Sequence, residues 1–457
     1  MSVSPTKGAR VERDWTKGSI TRNLLAISWP IIISSLVTHI GPTVDMIWVG
    51  KLGAASVAGV GVAGMVVTVA NAVRQGFQTG TRAMVSRSVG AGDKEAANHV
   101  AQQTLVISVA FSIVMAAIGI FLAAPILRLL GVGADVVSEG TAYMRIQLVG
   151  MIAMSFTMMN QSIMQASGDA VTPMKIDVGY RLFHIALCPF LVFGWWLFPR
   201  LGVSGAALSA VISQAIGAGL GLWFLFSGRT RVRLTMKNFR FDWGVIWRIV
   251  KIGIPASLTQ AERNLSQVVM VALTAPFGTL AVAAHTLTQR VDGFLHMPAS
   301  GLGQSAGVLA GQNLGAGQPK RAERSAWLAV GLFTSIMCIS AVVVWFWAGN
   351  VVRIFNTEPG LVAITTTFLK INIVNQLVFG LDMVLMNCLN NIGDTFIPML
   401  TALATSWLVQ IPLAYFLPRA TGLGVLGVRW AMVAAAVGRA TIYAIYFKSG
   451  RWQRKKV

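Results

Sequence analysis

Long apolar runs alternate with short polar breaks along the whole chain. Twelve apolar segments can be read, at residues 23–48, 54–84, 100–125, 138–166, 174–198, 202–226, 246–275, 280–312, 325–349, 360–391, 396–417 and 424–447. Each exceeds the roughly 20 helical residues that cross a hydrocarbon core of about 30 Å. The pattern predicts an all-α polytopic membrane protein with twelve transmembrane helices. The first apolar run is too long for the core of a cleavable signal peptide.

The chain repeats itself. A shift of 225 residues places Pro30 on Pro255, Gly53 on Gly278, and Val57-Ala58 on Val282-Ala283. The same shift places Gly90-Ala91-Gly92 on Gly315-Ala316-Gly317, Gly168-Asp169 on Gly393-Asp394, and Pro173-Met174 on Pro398-Met399. No gap interrupts the match. Each repeat holds an even number of crossings, so both enter from the same side. This predicts two six-helix bundles related by a pseudo-two-fold axis along the membrane normal. The expected division is a tail (1–22), a first bundle (23–226), a connector (227–245), a second bundle (246–447) and a basic tail (448–457).

Composition agrees and adds an orientation. Hydrophobic residues make up 55% of the 457 and charged residues 12%, about half the charge of a soluble domain. Three Cys exclude a disulfide framework. The net charge of +21 does not form a nucleic-acid surface, because the bases flank the apolar segments. The tails and even-numbered loops carry 24 Lys and Arg; the opposite loops carry Lys51, Arg128, Arg200, Arg353 and Arg419. By the positive-inside rule both termini are expected in the cytoplasm, with the chain in the plasma (inner) membrane.

Ionisable groups inside the segments are the candidate chemistry, since a charge at membrane depth needs water, a partner or an ion. Asp45 shares a helical face with Thr38, Gly41 and Pro42, a small and polar stripe suited to a cavity. Glu262 lies seven residues after Pro255 with Thr259 and Ser266 on its face, while the adjacent Arg263 points about 100° away. Asp382 stands where the first repeat has Thr157, with Asn375 and Asn390 near its stripe. These three carboxylates are the expected ion-coupling residues, with Thr259, Ser266, Asn375, Asn160 and His184 as supporting polar groups. Pro30 and Pro255 remove backbone hydrogen bonds and are the expected hinges.

Other groups read as structural. Arg290 and Asp292 suggest an ion pair to other helices, and Asp177 an interfacial position. His39, His285 and His296 are expected in the core or interface, and the Met residues of segments four, eight and ten as packing or lipid-facing. His184 and Cys188 are four residues apart on one face, but two ligands do not make a metal site. No metal or cofactor is therefore expected. The sequence has no GxxxxGK[ST], HExxH, GxSxG or CxxC pattern, which leaves a gradient-driven carrier rather than an ATPase or enzyme.

The residues resemble the multidrug and toxic compound extrusion (MATE) family over about residues 20–450. The resemblance rests on Pro30 with Asp45, Gly80-Thr81-Arg82-Ala83-Met84-Val85-Ser86-Arg87, Gly90-Ala91-Gly92-Asp93, and Gly168-Asp169 with Pro173. In the second half it rests on Ala283-Ala284-His285, Arg290-Val291-Asp292, Met297-Pro298 and Gly311-Gln312-Asn313-Leu314-Gly315-Ala316-Gly317. It implies two bundles forming a V that opens alternately to either side. It also implies export of cationic, amphipathic organic compounds in exchange for Na+ or H+, by a monomer in lipid. Asp45 occupies the place of the family's first-helix carboxylate; Glu262 and Asp382 look like the second-half carboxylates of the NorM-type branch. The family's helix-five carboxylate motif is replaced by His184-Ile185-Ala186-Leu187-Cys188-Pro189, which shifts the expected coupling site to the second half.

Two other readings compete. A lipid-linked saccharide flippase of the same wider superfamily should have a strongly cationic cavity, whereas the acids here predict net acid at membrane depth. A membrane-embedded enzyme should show a clustered nucleophile, metal or acid–base set.

Overall fold

The computed structural model describes residues 14–196 and 198–455. Most of the expected N-terminal tail, the last two residues, and the side chains of His39, Ile40 and Pro42 lie outside the described residues. No strand occurs among those described. The first repeat comprises α1 (Ile20–Gly50), α2 (Ala54–Gly90), α3 (Lys94–Phe121), α4 (Ala134–Val149 continued by Met151–Ala166), α5 (Val171–Phe193) and α6 (Val203–Phe226). The second comprises α7 (Trp243–Thr274), α8 (Thr279–Gly315), α9 (Pro319–Arg353), α10 (Pro359–Asn391), α11 (Phe396–Ala420) and α12 (Val425–Lys448).

Among the described residues, nine of these helices are long and apolar enough to cross a membrane, and the two parts of α4 make a tenth. The other two, α7 and α8, are 32 and 37 residues long and carry Glu262, Arg263, Arg290 and Asp292 along their length. Large apolar side chains such as Phe121, Met65, Val268 and Ile445 are exposed, as expected where lipid rather than water surrounds the helices. The result is the expected all-α membrane fold of twelve helices in two bundles.

The bend in α4 is 45° and lies at Gly150. A Cβ there would stand 2.2 Å from the Val211 side chain of α6. The helix turns where it has no side chain to keep the neighbour away.

The two halves meet in reciprocal pairs. A Cβ on Gly90 of α2 would lie 2.0 Å from the Gln312 carbonyl oxygen of α8, and one on Gly315 of α8 would lie 2.2 Å from that of Arg87 of α2. These are the same crossing seen from each repeat, because 87 and 90 shift onto 312 and 315. Gly76 against Ser257 and Gly301 against Ile32 form a second such couple. Glycine lets the backbones approach without the lateral bulk that would hold them apart.

The crossings lie toward the end that carries both termini. There Arg87 donates to the Lys455 carbonyl at 2.6 Å and Arg321 donates to that of Gly18 at 2.7 Å. The connector is docked at this end too. Val232 and Leu234 are buried, Asn98 of α3 pairs with the Thr235 backbone in both directions, and Gln103 donates to the Arg240 carbonyl. Asp242 then caps α7 by accepting from the Val245 N–H.

Candidate functional site

The second bundle encloses a cavity of about 260 Å³ among α7, α8, α10, α11 and α12. Glu262 and Ser266 reach it from α7, Asn375 and Asp382 from α10. The structure thus brings four of the sequence candidates around one space. Their helices explain it: Glu262 and Ser266 are four residues apart on one face, and Asn375 and Asp382 are seven apart on another.

A local irregularity contributes two more groups. Within α11, residues 404–410 form a π-helical turn, which widens the helix by one residue per turn. Ser406 and Gln410 sit on that turn and line the same cavity.

Asp382 is nearly fully buried and does not stand alone. Arg439 of α12 donates from Nε to its Oδ2 at 3.2 Å, and Arg263 Nη2 lies 4.0 Å from its Oδ1. Arg263 also donates to the sulfurs of Met383 and Met386, so these methionines hold an arginine rather than only filling space. Its divergence from Glu262 is what carries it to α10. Glu262 is 6% exposed, and its Oε1 has no hydrogen-bond partner among the described residues.

Several expectations need correcting. Asp292 lines the cavity, and among the described residues its hydrogen-bond partners are the amides of Asn372 and Gln376 on α10, at 2.7 and 3.4 Å, rather than a cation on another helix. Asp177 is 4% exposed, not interfacial; it lies nearly two turns inside α5 and accepts from Gln161 of α4 at 2.8 Å. Thr259 donates its hydroxyl to the Pro255 carbonyl at 2.9 Å. In line with the expected core or interface positions, His285 is buried, while His296 stacks on Phe379 with ring centres 3.5 Å apart at the cavity wall.

The first bundle is built differently. Asp45 of α1 stands 3.1 Å from His184 Nε2 and accepts from the Cys188 thiol at 3.4 Å, both on α5. Asn160 is buried elsewhere, donating to the Ala218 carbonyl at 3.0 Å beside Asp177. Pro30 and Pro255 sit inside α1 and α7, which continue through them.

The expected excess of acid at membrane depth is not what the helices hold. Arg74, Arg181, Arg263, Arg290, Arg429 and Arg439 lie within α2, α5, α7, α8 and α12, alongside Asp45, Asp177, Glu262, Asp292 and Asp382. The sequence reading assigned depth to the acids and, apart from Arg263 and Arg290, placed the bases in turns and tails. Arg429, for one, is 2% exposed, donates to the His285 carbonyl at 3.1 Å and covers the Phe368 ring.

Comparison with known proteins decides the family. The MatE family model matches residues 30–190 and again 255–416, once in each repeat. The chain belongs to the MatE family. The probable multidrug resistance protein YoeA of Bacillus subtilis is 26% identical over 97% of this chain and 96% of its own length. The probable multidrug resistance protein NorM of Thermotoga maritima is 22% identical over 96% and 94%. A solved structure of a multidrug resistance MATE family transporter in an outward-facing conformation superposes with a TM-score of 0.88. It is 22% identical and the match covers 97% of this chain and 98% of that one.

In this MATE chain the group that sequence reasoning missed is Arg439. Its signal was available: a guanidinium in the middle of an apolar stretch, Val437-Gly438-Arg439-Ala440. Such a charge demands a partner, and Asp382 is the carboxylate that supplies it.

Proposed function

We propose that this MATE transporter is a secondary antiporter that exports cationic or amphipathic organic compounds in exchange for Na+ or H+. The carrying observation is Glu262, whose buried Oε1 has no hydrogen-bond partner among the described residues, at a cavity that also holds Asp292, Asp382, Arg263 and Arg439. Three carboxylates against two guanidinium groups leave one negative charge. One monovalent cation, sodium or a proton, balances it.

Asp382 is held by Arg439 and Arg263 and Asp292 by the amides of Asn372 and Gln376, so the exchangeable charge falls on Glu262, whose Oε1 has no hydrogen-bond partner among the described residues. Exchange then needs only that one conformation hold the cation more tightly than the other. The Lys and Arg distribution supports cytoplasmic termini in the plasma membrane. With that orientation the glycine crossings lie on the cytoplasmic side, which favours an outward-open resting arrangement.

The test is efflux of a cationic dye from proteoliposomes under an imposed sodium or proton gradient. The reading expects one gradient to drive efflux and Glu262→Gln to abolish the dependence. Gradient-independent dye movement in the parent, or an unchanged dependence in Glu262→Gln, would overturn it.

The arginines inside the helices favour a second reading, an amphipathic anion as cargo, including the lipid-linked saccharide class. Arg74 supports it: it is 5% exposed, and its Nε and Nη1 have no partner among the described residues. Competition between cationic and anionic amphiphiles in the same vesicles separates the two.

A further inference from the structure

Asp45, His184 and Cys188 bring a carboxylate oxygen, a ring nitrogen and a thiol sulfur within 4.8 Å of one another. Two lie on α5 one turn apart, and the third comes from α1. His184 is 2% exposed and Cys188 fully buried, whereas the Asp45 side chain is 14% exposed, which leaves an approach for an ion. His184 Nε2, although 3.1 Å from Asp45 Oδ1, makes no hydrogen bond among the described residues. A buried imidazole nitrogen thus faces the carboxylate at ion-pair distance, without a geometrically formed hydrogen bond among the described residues.

The spacing has the dimensions of a coordination shell. Zinc bonds of about 2.0–2.1 Å to nitrogen and oxygen and about 2.3 Å to sulfur, arranged tetrahedrally, put ligand atoms about 3.3–3.6 Å apart. The oxygen–nitrogen and oxygen–sulfur separations here are 3.1 and 3.4 Å. The donor set also selects among ions. A thiolate with an imidazole suits zinc-class metals and suits sodium or calcium poorly.

We propose that Asp45, His184 and Cys188 form a divalent transition-metal site of the zinc class, with water as the fourth ligand. On binding, the Cys188 S–H bond breaks, the sulfur–metal bond forms, and the proton passes to water. The metal ties α1 to α5 at the end of the bundle away from the termini. Because Asp45 is also an expected ion-coupling carboxylate, the site is tested by metal binding and not by export.

The experiment uses the full-length protein in detergent with Co2+ as the probe, because cobalt bound to a thiolate gives a charge-transfer absorption band. The expected result is one Co2+ per chain with that band, displaced by Zn2+. Cys188→Ser should abolish the band. Loss of an outer partner of a metal ligand weakens affinity about 10–100-fold, and loss of a ligand does no less. His184→Ala and Asp45→Asn should therefore each weaken Co2+ affinity by at least about tenfold. No band in the unmutated protein, or a band that survives Cys188→Ser, overturns the proposal.

Discussion

Asp382 and Arg439 form an ion pair, 3.2 Å apart, at the positions that Thr157 and Gln214 hold in the first repeat. There the Thr157 hydroxyl donates to the Gln214 backbone carbonyl at 2.9 Å. The same helix contact is therefore made by a neutral hydrogen bond in one half and by two opposite charges in the other. The fold accepts either solution. The charged one lines the cavity of the second bundle.

This equivalence predicts a stability cycle. Asp382→Thr and Arg439→Gln should each destabilise the protein by roughly 3 kcal/mol, because each leaves a buried charge without its partner. The double variant recreates the first-repeat residues and should be more stable than either single one. Thermal unfolding in detergent measures all four proteins; a double variant no better than the sum of the singles would deny the coupling.

The glycine crossings predict paired sensitivity. Gly90→Ala and Gly315→Ala place a methyl against a backbone carbonyl in equivalent places, and overpacking of this kind costs about 1–3 kcal/mol. The two losses should be similar. Gly61→Ala, with open space around its Cβ, should be neutral or slightly stabilising, since Ala is the better helix former. Melting temperatures of the three variants check the ranking.

The cavity predicts a division of labour among carboxylates. Glu262→Gln should lower gradient-driven efflux by at least about tenfold, as expected for a lost charge that one ion must balance. Asn372→Ala should act more weakly and through Asp292, whose carboxylate it holds. Initial efflux rates at fixed gradient distinguish them; an Asn372→Ala defect as large as that of Glu262→Gln would mean that Asp292 shares the exchangeable charge.

The cap of α7 predicts a pH dependence at the termini end. The backbone N–H of Val245, followed by His99, holds the Asp242 carboxyl below the usual carboxylate range. Its folded value lies below its unfolded value, so its stabilisation is fully present above about pH 4. It is lost as pH falls through the lower folded value. Unfolding of the parent and Asp242→Asn at several pH values should show a gap that is constant near neutrality and closes in acid.

What the sequence determined by itself is what runs along one strand of chain. Apolar length located the helices, since a span must be long and apolar wherever it packs, and the 225-residue shift revealed the repeat because turns and close crossings demand glycine and proline. Depth along a helix was also legible, which is why Glu262, Ser266, Asn375 and Asp382 could be named as candidates, though among others, before their cavity was seen. Rotation and crossing were not. Whether Arg439 meets Asp382, whether Asp177 faces Gln161 rather than the interface, and whether Asp45 joins His184 and Cys188 depend on how helices distant in sequence turn toward each other. Those contacts are set by the packing of whole helix faces, by the bend at Gly150 and by the π-helical turn at residues 404–410. No local pattern encodes them, because each requires a partner surface that only the assembled bundle provides.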